Sequence, residues 1–327
     1  MELDEVLRQR NMDRITRVSI VGMGALGILY GDFFARALGR EQVTFLADRE
    51  RVERYKKAFT YCNGKKWEFD IRAGDEEDPR GPAQLLIFAV KATALEGAVR
   101  SVAGQVGPDT IILSVLNGIT SEAVIGEMLG MEHVLCCVAQ GMDAVKLKDE
   151  LTYSHIGKIC IGITPGESQK ADKLKAVTDL FDETGLPYTL EPDILRRLWC
   201  KWMLNVGVNQ AVMVAEGTYG TVQKPGPARQ MMKDAMAEVV ALAQTEGIQV
   251  TEEDLDSYVA LIDTLSPEGM PSMRQDGLAQ RPSEVEFFAG TVIRRAEKAG
   301  LEVPVNRELY RRIKEMEDRY KSYTEAI

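Results

Sequence analysis

A chain of 327 residues, 45% apolar and 28% charged, has the composition of an ordinary folded protein and the length for two sizeable cores, which excludes a small binding module and a largely disordered chain. Its net charge of −10 opposes both a phosphate backbone and an anionic membrane, so nucleic acid and membrane are not expected partners. A small anionic substrate would have to be met by positive groups gathered locally.

In chain order, residues 1–14 read as a polar helical extension. Residues 17–21 (RVSIV) are an apolar strand running into GMGALG, 25–38 are helical, and 42–47 (QVTFLA) are a second strand. Apolar runs at 84–90, 110–115 and 134–138 read as further buried parallel strands. Residues 156–163 add another apolar run, and a helix over 167–184 stops at Gly185. From Glu191 the pattern changes to long amphipathic helices over 193–215, 228–246, 252–265 and 284–299, with Pro- and Gly-containing breaks between them. The expected architecture is α/β, a Rossmann-type doubly wound parallel sheet over 1–190, followed by an all-α domain over 191–327.

Cys62, Cys136, Cys137, Cys160 and Cys200 form an odd set without CxxC spacing, which fits a reducing cytoplasm. Only His133 and His155 could supply imidazole, too little for a zinc site or a histidine-centred triad, and no metal is expected. The charged start of the chain and the absence of a run of about 18 apolar residues argue against export and membrane insertion.

Gly22, Gly24 and Gly27 match GxGxxG directly after a strand and at the opening of a helix, the context in which this short motif gains meaning. Gly22 would allow the tight turn, Gly24 the approach of a pyrophosphate and Gly27 close helix packing. Met23, Ala25 and Leu26 complete the backbone cradle, with N–H groups directed at the anion. Asp48, at the end of the second strand, would accept from the ribose hydroxyls of NAD, whereas Arg49 beside it would grip the 2′-phosphate of NADP. The same two residues also read as solvated members of a charged loop, DRERVERYKK.

Lys201, Asn205 and Asn209 recur every four residues, so a helix stacks them on one face. A lysine there could protonate a ketone oxygen while the two amides orient its substrate; on an isolated helix the same row would be a solvated surface. Lys91 and Asn117 follow strand ends, the ligand-binding edge of a doubly wound sheet, although either could be a turn residue. Glu284 opens SEVEFF, where it could also complement a helix dipole. Ser272 could be a further polar group of the site, but a helix N-cap is the more common role for a serine so placed.

These motifs, GMGALG, Lys91, Asn117-Gly118, the Lys201/Asn205/Asn209 row, SMRQD at 272–276 and RPSEVE at 281–286, together resemble ketopantoate reductase (2-dehydropantoate 2-reductase) from Val18 to about Tyr320. The resemblance implies reduction of ketopantoate to pantoate in pantothenate and coenzyme A biosynthesis. It makes Lys201 the proton donor, Asn205, Asn209 and Ser272 substrate ligands, Asn117 a contact to both ligands, and Glu284 a catalytic neighbour of cofactor and lysine. Lys91 joins the cofactor ligands. It favours NADP(H), with NAD(H) open, and the apolar helical surface suggests a homodimer. Tyr219 stands where the family often has asparagine, Gln210 opens an unusual QAVMV stretch, and Asp48 occupies a place often basic in NADP-dependent members. A related hydroxyacid or opine-type dehydrogenase therefore remains an alternative reading, and a nucleotide-binding sensor without catalysis is a third.

Overall fold

The computed structural model describes residues 14–324, with side chains to residue 320, so the extension expected over 1–14 falls outside the described residues except for Arg14. The chain divides into two compact units: one runs to Leu116 and resumes over Thr120–Ile194, and the other joins Asn117–Ile119 to Leu195–Ile327.

The first unit is built on an eight-stranded sheet ordered β12-β11-β8-β7-β6-β1-β2-β5. The strand β1 (Val18–Val21) lies between β2 (Val43–Ala47) and β6 (Leu85–Phe88), parallel to both. From β1 the chain first builds outward through β2 to β5 (Asp70–Ala73), then returns to β6 on the other side. Beside β1, then, the strand order reverses, and a crevice opens at the carboxyl ends of β1 and β6. Both are buried over nearly their full length, which explains their continuous apolar runs.

The sheet is mixed, not wholly parallel as doubly wound patterning suggests. Next in order, β7 (Ile111–Ser114) and β8 (Val134–Gln140) continue the parallel arrangement, but β11 (Lys158–Gly162) pairs with β8 antiparallel. No crossover helix separates β8 from β11; the chain between them makes the short strands β9 (Val145–Leu147) and β10 (Glu150–Thr152), so a direct return is possible. These join β3 (Thr60–Cys62) and β4 (Lys65–Trp67) in a small second sheet ordered β4-β3-β10-β9. The last strand, β12 (Tyr188–Leu190), pairs parallel with β11.

Helix α1 (Ala25–Leu38) follows β1, as its periodicity predicts. The charged stretch after β2, expected as a loop, is instead helix α2 (Arg49–Lys57): Asp48 caps it through Arg51 N–H, Val52 is its buried anchor, and the charges face water. Helices α3 (Leu95–Val102), α4 (Ser121–Leu129) and α5 (Ala171–Thr184) complete the unit, α5 ending at Gly185 in the left-handed conformation (φ 74°).

The second unit is helical. Its first helix, α6 (Ile194–Val214), carries the buried Trp202, Met203, Val206, Val212 and Met213. It is followed by α7 (Tyr219–Gln223), α8 (Pro227–Thr245), α9 (Glu252–Asp263), α10 (Ser272–Leu278), α11 (Ala289–Ala299) and α12 (Pro304–Thr324), of which α8 packs against α7, α9, α11 and α12. The helix expected from Glu284 begins only at Ala289. Residues 284–288 form successive turns, because Phe287 and Phe288 N–H both bond Glu284 O and Phe288 leaves helical angles (φ −102°, ψ −98°). Helix α12, which the sequence pattern did not delimit, starts with proline at its first position and has its Val305 and Asn306 N–H groups capped by Glu238 of α8.

Candidate active site

In the first unit the site elements converge on the crevice beside β1. Gly22 leaves β1 at φ +106°, where a Cβ would lie 2.8 Å from Ala89 O. Gly27, on the first turn of α1, leaves no room for one: it would sit 2.0 Å from Gly22 O. Gly24 caps α1 without a side-chain hydrogen bond, so the orphan N–H groups of the first turn, from Ala25, Leu26 and Gly27, meet no capping oxygen there. Its own Cβ position would meet only Ala89 O, at 3.6 Å. Loop and helix terminus thus fit an anionic pyrophosphate through backbone donors and the helix dipole. Lys91, exposed, follows β6 at the same edge and caps the short turn Ala92–Ala94.

Asp48 and Arg49 are engaged differently. Burial pushes the Asp48 carboxyl up, but bonds from the Arg51 N–H and guanidinium outweigh that and hold it below the usual carboxylate range. Arg49 donates to Asp75 (2.8 Å) and lies 3.7 Å from Glu76, in an exposed pairing that raises its pKa. Three carboxylates, Asp48, Asp75 and Glu76, therefore surround the end of β2.

In the second unit the row on α6 is ordered by directed hydrogen bonds. Lys201 and Asn205 are half-buried and Asn209 is buried. Asn209 Oδ1 accepts from Met273 N–H and from Ser272 Oγ, both at 3.2 Å. A backbone N–H can only donate, so this bond settles which end of the Asn209 amide is oxygen. Asn209 Nδ2 then donates to Asn205 Oδ1 (3.2 Å), which leaves Asn205 Nδ2 as a buried donor without a partner. Ser272 is the first residue of α10 and no N-cap: Pro271 holds that position, and the Ser272 hydroxyl turns to Asn209.

Asn117 Nδ2 donates to Glu284 Oε2 at 3.5 Å, bringing together two residues 167 positions apart in sequence. Much of the surrounding motif is structural. Arg281 bonds Asp276, Ser283 N–H and Oγ bond Glu317, and Glu286 accepts from Tyr310 Oη. Gln210, flagged as a departure, is fully buried; its Nε2 bonds Val206 O and its Oε1 accepts the first N–H of α11, from Ala289. It is a tie between helices. Tyr219 opens α7 with its ring against Gly269, on the segment that leads into Ser272. The backbone donor of Met273 escaped the sequence reading, since side-chain patterning carries no signal for it.

Residues 18–166 match the family described as Ketopantoate reductase PanE/ApbA, and residues 193–317 match its C-terminal part. The chain belongs to the ketopantoate reductase family. Among its relatives, the 2-dehydropantoate 2-reductase of Vibrio cholerae is 27% identical over 235 residues, 72% of this chain and 78% of that one. The enzyme of the same name from Archaeoglobus fulgidus is 25% identical over 309 residues, 93% and 99% of the two chains. The fold is shared with D-mandelate dehydrogenase in complex with NADH and anilino(oxo)acetate (TM-score 0.79, 22% identity, 93% of this chain and 99% of that one). It is shared also with a dimeric ketopantoate reductase from Staphylococcus aureus (TM-score 0.75, 21% identity, with the same coverage). Like other members of this oxidoreductase family, the chain carries a nucleotide-type sheet and a helical unit, and no described helix is long and apolar enough to cross a membrane.

Proposed function

We propose that the protein reduces a small branched 2-oxo acid, 2-dehydropantoate first among candidates, to its 2-hydroxy acid, the step that feeds pantothenate and coenzyme A synthesis. The reading rests above all on Asn205 Nδ2, a buried unpaired donor one helical turn from Lys201. A substrate carboxylate or hydroxyl oxygen satisfies that donor, and Ser272 and Asn209 hold the amide to its task. When bound, the reduced nicotinamide supplies the hydride to the carbonyl carbon. Lys201 Nζ stabilises the charge developing on the carbonyl oxygen and gives up the proton that makes the hydroxyl. Glu284, through Asn117, fixes a second amide and offsets the positive charge that lysine brings.

Gly22, Gly24, Gly27 and the first turn of α1 hold the pyrophosphate, with Lys91 beside them. The family resemblance points to NADP(H), but the charges at the end of β2 support NAD(H): Arg49 already faces Asp75 and Glu76, and a 2′-phosphate would also meet Asp48. Tyr219 supports a second reading, a related hydroxyacid or opine-type dehydrogenase, because a bulky ring replaces an amide beside the segment leading to Ser272. We further infer a homodimer. Parallel measurement of NADH and NADPH oxidation with ketopantoate and a panel of other 2-oxo acids tests the whole reading. Turnover of ketopantoate with NADH ahead is expected. A strong NADPH preference would assign a 2′-phosphate to Arg49, and cofactor binding without turnover of any 2-oxo acid would leave a sensor.

A further inference from the structure

Lys146 lies on β9, outside every motif of the family resemblance. Lys146 is exposed, as are its neighbours Val145 (43%) and Leu147 (74%), but it pairs across the small sheet with the fully buried Leu151, so its side chain leaves the strand on the same face as Leu151. There its ammonium donates to Met23 O, inside the glycine-rich loop, at 2.7 Å. Just past β10, Tyr153 Oη donates to Asp32 Oδ2 at 2.7 Å and ties the end of the small sheet to α1, where Asp32 is fully buried and also accepts from Arg36. Desolvation lowers the Lys146 pKa, with Asp149 acting against it.

The Met23–Gly24 peptide is planar and trans, so its N–H points opposite to its carbonyl. Holding the carbonyl on the small-sheet side turns the Gly24 N–H the other way. Glycine at position 24 would otherwise permit that peptide to flip, because it tolerates positive φ; here Gly24 sits at φ −77°. A charged donor on the carbonyl also polarises the N–H. We infer that Lys146 is a positioning residue for the cofactor pyrophosphate: it locks the Met23–Gly24 peptide so that the Gly24 N–H serves the phosphate oxygens. The inference rests on the proposed cofactor site and adds the small sheet to its machinery.

The test titrates wild type, Lys146→Met and Lys146→Arg with NADH and with NADPH by calorimetry, alongside melting of the unliganded proteins and the 15N-glycine amide resonance of Gly24. Both cofactors carry the pyrophosphate, so Lys146→Met raises both Kd values by the same factor, about tenfold for a lost bond from a charged donor. Its melting temperature stays near wild type, the Gly24 resonance moves, and Lys146→Arg recovers most of the affinity. Unchanged Kd values, a loss confined to one cofactor, or a lowered melting temperature with wild-type affinity would each overturn the inference. A wild type that binds neither cofactor would remove the underlying site reading as well, and the first titration reveals that separately.

Discussion

Replacing Asn209 by aspartate keeps the shape of the side chain and reverses one end of its polarity. The carboxylate still accepts from Met273 N–H and Ser272 Oγ, so the anchoring of α10 survives. It can no longer donate to Asn205 Oδ1, and two oxygens 3.2 Å apart repel. A half-turn of the Asn205 amide relieves the clash by presenting Nδ2 to the new carboxylate, which points Asn205 Oδ1 toward the place of the former unpaired donor. If that donor serves an anionic substrate, the bond lost is one to a charged group, worth roughly 1.5–3 kcal/mol, or about 10–150-fold in kcat/KM for the 2-oxo acid. Steady-state kinetics at pH 8, with the carboxylate ionised, should show this mainly as a raised KM, while NADH affinity and melting temperature stay near wild type. Asn209→Ala behaves differently: it strands the buried Met273 N–H and should cost about 1–3 kcal/mol of stability. An Asn209→Asp enzyme with kcat/KM within about threefold of wild type would refute the directed relay as the substrate-orienting device.

Lys201→Ala should lower kcat by roughly 10²–10⁴-fold, as for a lost general acid, with the circular dichroism spectrum and NADH affinity preserved; near-normal turnover would sink the proton-donor role. Gly27→Ala places a Cβ 2.0 Å from Gly22 O, so calorimetry should find a lower melting temperature, a loss of roughly 1–3 kcal/mol, and weakened NADH binding. Asp78 is held well below the usual carboxylate range, first by its bond from Arg80 and further by Arg72. Its stabilising contribution is complete above its unfolded pKa, about 4, and disappears as the pH falls through the depressed folded value. Acid titrations monitored by fluorescence should therefore find Asp78→Asn less stable than wild type at pH 7, with a shallower further loss below pH ~4; parallel curves would count against the assignment.

Long periodic segments were legible in the sequence because burial imposes a repeat on residue type. Helix α1 begins and ends at the residues its pattern indicates, and the central strands read as unbroken apolar runs because both of their faces are covered. The glycine spacing and the four-residue recurrence of Lys201, Asn205 and Asn209 were visible for a similar reason: each encodes local geometry, a turn or a helix face. What depended on partners far along the chain was not legible. Strands β3, β4, β9 and β10 span three residues each, too few to show a period, and are stable only because they pair with one another. The charged run after β2 looked like a loop until Asp48 was seen to cap it, and Ser272 looked like a cap until its hydroxyl was seen to meet Asn209. The polarity of the amide row came from the Met273 N–H, a backbone group that every residue but proline possesses and that only its position in space makes significant. Residue types along the chain determined which chemistry was available, but the direction of each hydrogen bond, and with it the one donor left over on Asn205, was decided by tertiary structure, because a donor's partner is chosen by distance in space and not by separation in sequence.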